Sequence, residues 1–188
     1  PHNSKLAEVV AQASDFDLVV LHTSVPSFKA DVKCIEALKA KNPKLIAGLI
    51  GAKVAVDAAG AMAQDPVVDF CARNEFDFTV KDVADGVPMS EIKGLSYRDA
   101  NGVVVHNEDR EIMTDMDQLP FVTSVYKRDL EMEKYFIGYL KHPYISFYSG
   151  RGCKSRCTFC LWPQTVGGHT YRTRSVAHVI EEIKYCLK

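Results

Sequence analysis

The sequence lacks a surplus of positive charge and lacks any long apolar run, and these absences exclude two classes of protein. Its 23 Lys and Arg residues balance 24 Asp and Glu residues, which leaves no basic excess for binding a nucleic-acid backbone. The longest apolar runs, such as residues 18–21 and 45–50, fall far short of the ~20 residues that a membrane-spanning helix needs. We therefore expect neither a nucleic-acid partner nor a transmembrane segment.

A signal peptide is also lacking, and the chain begins at Pro1 rather than at a methionine. The composition is that of a folded protein, because 47% of the residues are hydrophobic and the formal net charge is only −1. The sequence thus predicts a cytoplasmic piece of a longer protein, with one or two globular domains. No pattern in the sequence indicates an oligomeric state.

The spacing expected of a disulfide framework is absent, since three of the six cysteines are crowded into one short stretch. Cys153, Cys157 and Cys160 are separated by three and then two residues, so one loop can turn all three thiolates toward a single soft metal centre. On a cubane cluster, three protein ligands leave one iron open to an exogenous molecule. The alternative is a tetrahedral zinc site closed by His169. The other cysteines are interpreted as small buried side chains: Cys34, Cys71 and Cys186.

Short apolar runs alternate with helical patterns in the first part of the chain. Three runs are typical of parallel strands buried on both faces: residues 17–24, 44–51 and 67–73. Helical spacing follows in residues 28–38 and 54–64, and a short helix is predicted around residues 78–83. The alternation predicts an α/β fold with a Rossmann-like, doubly wound parallel sheet.

The pattern changes after Gly86. Asn101-Gly102 is a strong turn signal between residues 94–98 and 103–106, which predicts a β-hairpin at the edge of the sheet. Beyond the hairpin no clean period persists until the cysteines, which is typical of an ordered linker. We expect three parts: a domain of residues 1–110, a linker of residues 111–143, and a further domain that begins with residues 144–188.

The cysteine stretch resembles the radical S-adenosylmethionine (radical SAM) enzymes. Its pattern is C-x3-C-x-aromatic-C after a strand-like run at residues 144–148, with Phe159 as the aromatic residue. The resemblance implies that Cys153, Cys157 and Cys160 bind a 4Fe-4S cluster whose open iron binds S-adenosylmethionine (SAM). It also implies that Phe159 lies beside the SAM adenine. The implied reaction cleaves SAM to a 5′-deoxyadenosyl radical, with an electron from a flavodoxin- or ferredoxin-type protein.

The same resemblance implies where the last part of the chain lies in the family fold. Residues 144–148, the cysteine loop and a helix from Ser175 would form the first strand-loop-helix unit of a radical SAM (β/α) barrel, truncated before the barrel closes. We therefore expect this fragment to be inactive on its own. We expect the apolar face of the helix, at Val179, Ile180 and Ile183, to dock on the α/β domain or on a second copy.

The order of the parts resembles the B12-binding subfamily of radical SAM enzymes. In that subfamily the Rossmann-like domain can hold cobalamin in the crevice at the strand ends. The matching positions here are His22, Thr23, Gly51, Asn74, Glu75, Asp77 and Thr79. The family's Asp-x-His pair is absent, and Phe76 stands where the family has a glycine. A scaffold that binds no cobalamin is therefore an open alternative.

Residues 161–168 and 171–175, together with the cysteine motif, resemble the hopanoid-biosynthesis-associated radical SAM proteins. That resemblance implies ring contraction of glucosaminyl bacteriohopanetetrol to a cyclitol ether, and hence a lipid-linked sugar substrate and a location peripheral to the membrane. Two alternatives stay open: a cobalamin-dependent radical SAM methyltransferase, and a zinc-stabilised binding module without turnover. The sequence assigns no catalytic side chain.

Overall fold

The computed structural model describes residues 5–165 and 167–187. Two residues of the predicted segments, Val166 and Lys188, and the chain start at Pro1 lie outside the described residues. The strands are β1 Leu18–His22, β2 Ile46–Ile50, β3 Phe70–Ala72, β4 Leu95–Arg98, β5 Val104–His106, β6 Gly150–Arg151 and β7 Arg172–Thr173. The α-helices are α1 Leu6–Ala11, α2 Phe28–Lys41, α3 Ala52–Gln64, α4 Asp77–Ala84, α5 Val122–Asp129, α6 Trp162–Thr165 and α7 Val176–Cys186.

Five strands form one sheet in the order β1-β2-β3-β4-β5. The first three strands are parallel, and β4 and β5 add to β3 as an antiparallel hairpin. The predicted α/β fold and edge hairpin are thus confirmed. Asp99 organises the hairpin turn, because its carboxylate accepts hydrogen bonds from the backbone N–H groups of Asn101 (2.9 Å) and Val103 (2.8 Å).

Helices cover both faces of the sheet, as the predicted doubly wound fold requires. On one face, α2 and α3 pack on β2 and β3 through side chains that include Ile35, Leu49 and Val54. On the other face, Phe70 and Leu95 lie in a second cluster with partly buried side chains of α4. The strand β1 is only half-buried, because β2 is its single strand neighbour. Burial on both faces is therefore complete for β3 and partial for β1.

Gly48 in β2 leaves space for the ring of Phe70 on the neighbouring strand. A Cβ atom at Gly48 would lie 2.1 Å from that ring, and Phe70 is fully buried. We expect Gly48→Ala to lower the free energy of unfolding by roughly 1–3 kcal/mol, the usual cost of overpacking a core. Chemical denaturation measures it, with Gly138→Ala as the control because Gly138 has open space around it. Equal stability of the two variants would contradict this close packing.

The predicted linker contains a helix that packs on the end of the chain. Thr123 of α5 donates hydrogen bonds from its backbone N–H (3.2 Å) and its hydroxyl (3.0 Å) to Glu182 of α7. Of the two expected docking partners of α7, the α/β domain is wrong, because α7 packs on α5 instead, and a second copy of the chain stays a prediction. On its apolar face, Ile180 and Ile183 are 44% and 43% exposed. Nothing in the structure tests the domain boundaries at residues 110 and 143, which stay predictions.

The predicted strand at residues 144–148 is wrong. That segment has no strand structure, and pairing begins two residues later at β6, which is antiparallel to β7. A strand needs a hydrogen-bonded neighbour, and within the described residues none lies beside residues 144–148. The order strand, cysteine loop, helix is retained, with β6 as the strand and β7 inserted before α7.

Every described helix is too short or too polar to cross a bilayer.

Candidate functional site

A crevice lies where the three parallel strands end. His22 is the last residue of β1, Gly51 follows β2, and Glu75 follows β3 by a short turn. The carboxyl ends of neighbouring parallel strands meet at one edge of the sheet, which is the usual ligand position in open α/β sheets. Gly51 has a φ of +101°, and a Cβ there would lie 2.6 Å from the carbonyl oxygen of Thr23. Only glycine therefore fits this strand end.

The cysteine-bearing part of the chain closes this crevice. The strand ends and the cysteine-bearing part together enclose a cavity of about 350 Å³, which we call the strand-end cavity. Its walls are His22, Gly51, Ala52, Glu75, Phe76, Asp77, Tyr148, Arg151, Leu161, Trp162 and Thr165. The short helix α6 packs against α3, which brings Trp162 and Thr165 over the crevice. The cavity thus lies between the α/β sheet and the loop that carries the cysteines.

The positions matched to cobalamin binding divide into two groups. His22, Gly51 and Glu75 line the cavity, as does Asp77. Thr23 directly follows β1, is fully buried and lies outside the cavity walls. Thr79 is also fully buried. Its hydroxyl donates to the carbonyl oxygen of Lys93 (3.0 Å) and accepts from Arg110 (2.9 Å).

Two carboxylates after β3 hold two arginines of the cysteine-bearing part. The Arg172 guanidinium donates to both oxygens of Glu75 at 2.9 Å and 2.7 Å, and both side chains are buried. The Arg151 guanidinium donates to both oxygens of Asp77 at 2.6 Å and 3.1 Å. Bidentate pairs of this kind fix geometry as well as charge. The sheet and the cysteine-bearing part are therefore joined by oriented, charge-assisted contacts.

Arg151 is held as a permanent cation at the cavity wall. Burial would lower the pKa of its guanidinium, but the hydrogen bonds that it donates to Asp77 and the charges of Asp77 and Glu75 outweigh burial and raise the pKa. Its Nε is buried without a hydrogen-bond partner among the described residues. A buried donor without a partner costs free energy, which a polar acceptor atom in the cavity would recover.

The cysteines lie on a loop whose ends are paired. We use the name cysteine ribbon for residues 150–173, which comprise β6, β7 and the loop between them. At the base of the loop, Gly152 has a φ of +88°, and a Cβ there would lie 2.1 Å from the carbonyl oxygen of Thr170. The Cys153 N–H donates to the Gly168 carbonyl oxygen at 3.2 Å. The loop thus starts and ends at a tightly packed base.

The three predicted cluster ligands share this loop, and none of them is in a disulfide. Cys153 and Cys160 are half-buried, and Cys157 is exposed. Phe159 is 90% exposed and His169 is also exposed. Over residues 5–165 and 167–187, no three His, Cys, Asp or Glu side chains are arranged to hold a metal ion. The donor set fits a thiolate-ligated cluster, although the described arrangement does not bring the three sulfurs together.

Two of the remaining cysteines, Cys34 and Cys71, have the environment of inert thiols. Cys71 is buried in the sheet, and burial raises the pKa of its thiol to about 12. Burial, and then the charge of Asp31, raise the pKa of Cys34. A thiol with a raised pKa is a poor nucleophile and a poor metal ligand, because the thiolate is the reactive form. The interpretation of these two residues as structural therefore agrees with their surroundings.

A second cavity adjoins the first and had no signal in the sequence. This linker cavity has a volume of about 650 Å³ and shares Phe76, Asp77, Tyr148 and Arg151 with the strand-end cavity. Its other walls are mainly apolar: Leu119, Pro120, Phe121, Val122, Val125, Tyr126, Ser146, Phe147 and Arg174. The sequence also gives no signal for the Arg151–Asp77 ion pair, which lines both cavities, because residues far apart in sequence form it.

Solved structures with this fold include radical enzymes. OxsB, a cobalamin-dependent S-adenosylmethionine radical enzyme with aqua-cobalamin and S-adenosylmethionine bound, matches with a TM-score of 0.71 and 17% identity over 99% of this chain and 25% of its own. TsrM from Kitasatospora setae, a radical S-adenosylmethionine methyltransferase with cobalamin and a [4Fe-4S] cluster bound, matches with a TM-score of 0.65 and 13% identity over 96% of this chain and 37% of its own.

The likeness to these structures concerns the fold. No family model and no curated protein matches the sequence. The chain spans 25% of OxsB and 37% of TsrM, so it corresponds to a minor part of each. That part includes both the α/β sheet and the cysteine ribbon, since the match covers nearly the whole of this chain.

Proposed function

We propose that this chain belongs to a radical SAM enzyme whose Rossmann-like domain is of the cobalamin-binding kind. One observation carries the proposal: a single loop presents Cys153, Cys157 and Cys160, and its base is fastened to the strand ends of an α/β sheet by oriented ion pairs. A zinc-stabilised module would need a fourth ligand. The candidate, His169, is an exposed side chain.

The chain's own residues would divide the work as follows. Cys153, Cys157 and Cys160 would hold a 4Fe-4S cluster through their thiolates, which leaves one iron without a protein ligand. Such a cluster, when bound, would supply the electron that cleaves SAM to a 5′-deoxyadenosyl radical. Phe159 offers an exposed ring on the same loop, available to stack on the SAM adenine. The electron would come from a flavodoxin- or ferredoxin-type protein.

The strand-end cavity is the place for cobalamin in this proposal. Its polar groups are His22, Glu75, Asp77 and Arg151, but both carboxylates already bind arginines. At about 350 Å³ the cavity lies at the low end of the ~300–1,000 Å³ range of ligand pockets, so a corrin ring requires the wall at Trp162 to move outward. The alternative of a scaffold without cobalamin is decided by the next experiment.

Cobalamin, where it binds, is expected to lack histidine as its lower ligand, because the sequence has no Asp-x-His pair. The measurement is a cobalt hyperfine spectrum of the reduced protein after growth with cobalamin, recorded beside a His22→Ala variant. Identical spectra without nitrogen coordination from histidine are the expected result. Histidine nitrogen coupling that disappears in His22→Ala would overturn it. Absence of any corrinoid would favour the scaffold and weaken the methyltransferase alternative.

For the overall reaction we propose ring contraction of a glucosaminyl group on bacteriohopanetetrol, a lipid-linked sugar. The resemblance of residues 161–168 and 171–175 supports it, and such a substrate suits a cytoplasmic enzyme peripheral to the membrane. The second candidate is a cobalamin-dependent methyltransferase, favoured by the cavity at the strand ends. Anaerobic incubation of the full-length enzyme with SAM, reductant and glucosaminyl bacteriohopanetetrol, read by mass spectrometry, separates them. A product that differs from the substrate but has the same elemental composition indicates rearrangement. A product with an added methyl group indicates methyl transfer.

A further inference from the structure

Protein groups take up three of the roughly four hydrogen-bond acceptor positions of the Glu75 carboxylate. One carboxylate oxygen accepts from Arg172 and from the backbone N–H of Met113 (3.1 Å), and the other accepts from Arg172. Arg172 in turn donates to the carbonyl oxygen of Met113. Glu75 and Arg172 are 7% and 6% exposed. Although Glu75 lines the strand-end cavity, its carboxylate is committed to holding β7.

Asp77 does the same for the other strand of the cysteine ribbon. It binds Arg151 through both oxygens, and the Arg151 guanidinium also lies 3.6 Å from Glu75. Arg151 and Arg172 face each other across the ribbon, since they are register partners in the β6–β7 pair. The segment that follows β3 therefore contacts both strands of the cysteine ribbon at the same register position.

The contacts of Asp77 lie next to the first cysteine in sequence. Arg151 is the last residue of β6, and Gly152, with its left-handed backbone, connects it to Cys153 at the start of the loop. The hydrogen bond from Cys153 to Gly168 closes the loop just above the gripped strands. The orientation of the loop relative to the cavity thus depends on two carboxylates that follow β3.

We propose that Glu75 and Asp77 are positioning residues for the cysteine ribbon, which fix the base of the cysteine-bearing loop relative to the α/β sheet through Arg172 and Arg151. The inference rests on the proposed function for the role of those cysteines. It assigns to the turn after β3 a task other than ligand contact. An ion pair used for positioning needs a charged carboxylate that is long enough to contact the arginine. We therefore predict that Asp77→Asn no longer positions the cysteine ribbon, and that Asp77→Glu retains most of the positioning.

The first test uses protein reconstituted anaerobically with iron and sulfide and then reduced. SAM is titrated into the wild-type protein, Glu75→Gln, Asp77→Asn and Asp77→Glu, and the change in the electron paramagnetic resonance spectrum of the cluster is followed. Loss of a supporting contact around metal ligands typically costs about 10–100-fold, so we expect Asp77→Asn to need about tenfold more SAM at unchanged iron content. Glu91→Gln, an exposed carboxylate outside the ribbon contacts, is the control.

The second test needs no metal. Metal-free proteins are treated with iodoacetamide, and mass spectrometry gives the alkylation rates of Cys153, Cys157 and Cys160 relative to Cys34. In Asp77→Asn and Glu75→Gln, the half-buried Cys153 and Cys160 should react several-fold faster, since the ribbon opens more often.

The outcomes separate the two proposals. Unchanged alkylation in both variants overturns the positioning role, whatever the cluster does. Failure of the wild-type protein to bind iron and sulfide overturns the proposed function, while alkylation still decides the positioning role. Circular dichroism reports whether Glu75→Gln folds. If it does not, the partly exposed Asp77 carries the test, because its substitution by Asn or Glu leaves the buried Glu75–Arg172 pair in place.

Discussion

Replacing Cys153, Cys157 or Cys160 with alanine, one at a time, will abolish assembly of the iron–sulfur cluster. A cubane cluster with one open iron already has the minimum of three protein thiolates, so none of them is dispensable. Iron and acid-labile sulfide are measured after anaerobic reconstitution, and we expect both to fall to background. This is the largest effect expected of any substitution in the chain.

The matched controls are the other cysteines, each changed to alanine. Cys34, Cys71 and Cys186 lie outside the cysteine ribbon, and burial raises the thiol pKa of the first two. Their variants should take up iron and sulfide as the wild-type protein does. A full cluster in Cys157→Ala would contradict the assignment of the three cysteines as cluster ligands. Metal that survives prolonged aeration unchanged would favour zinc, because an exposed iron is open to oxidants.

Removing Glu182 will cost about 3–5 kcal/mol of stability, the usual effect of breaking a buried ion pair by deleting one partner. Glu182 is fully buried and is hydrogen-bonded to Arg174 and Thr123. Burial alone would raise the pKa of this carboxyl, but those hydrogen bonds outweigh it and lower the pKa. A lowered pKa stabilises the folded protein at neutral pH, and that stabilisation is lost as the pH falls through the lowered value.

Chemical denaturation of Glu182→Leu measures this loss, with the exposed neighbour Glu181→Leu as the control. The double variant Arg174→Met, Glu182→Leu should regain much of the stability, since no unpaired charge then stays buried. A single variant as stable as the control would show that the α5–α7 contact contributes nothing. A double variant no better than Glu182→Leu would show that the aromatic contacts of Arg174 with Phe121 and Phe147 matter more.

The α/β sheet was predictable because its signals are local. Each of the first three strands is an apolar run of the right length, and Asn101-Gly102 marks the hairpin. The run at residues 144–148 was equally apolar, yet it forms no strand, because strand formation depends on a neighbour that a sequence run cannot reveal. The eight-residue helix α5 was missed for the opposite reason, since packing on α7 rather than a clear helical pattern defines it.

The site could be predicted in part. The resemblance to the B12-binding subfamily places His22, Gly51 and Glu75 at the strand ends, and all three line the cavity. The same resemblance includes Thr23, but this residue is fully buried and does not line the cavity. The ion pairs Arg151–Asp77 and Arg172–Glu75 join residues 74 and 97 positions apart, and no local pattern encodes such contacts. Whether Cys153, Cys157 and Cys160 bind a cluster stays a prediction.

The order of the strands has a consequence for how the chain folds. Each strand of the main sheet pairs with its neighbours in sequence, so the sheet assembles through short loop closures, each of low entropic cost. The contact between Glu75 and Arg172 closes a loop of 97 positions and has no anchor until β3 and its following turn exist. The cysteine ribbon therefore docks late. We expect its thiols to stay accessible to solvent after the sheet has already folded.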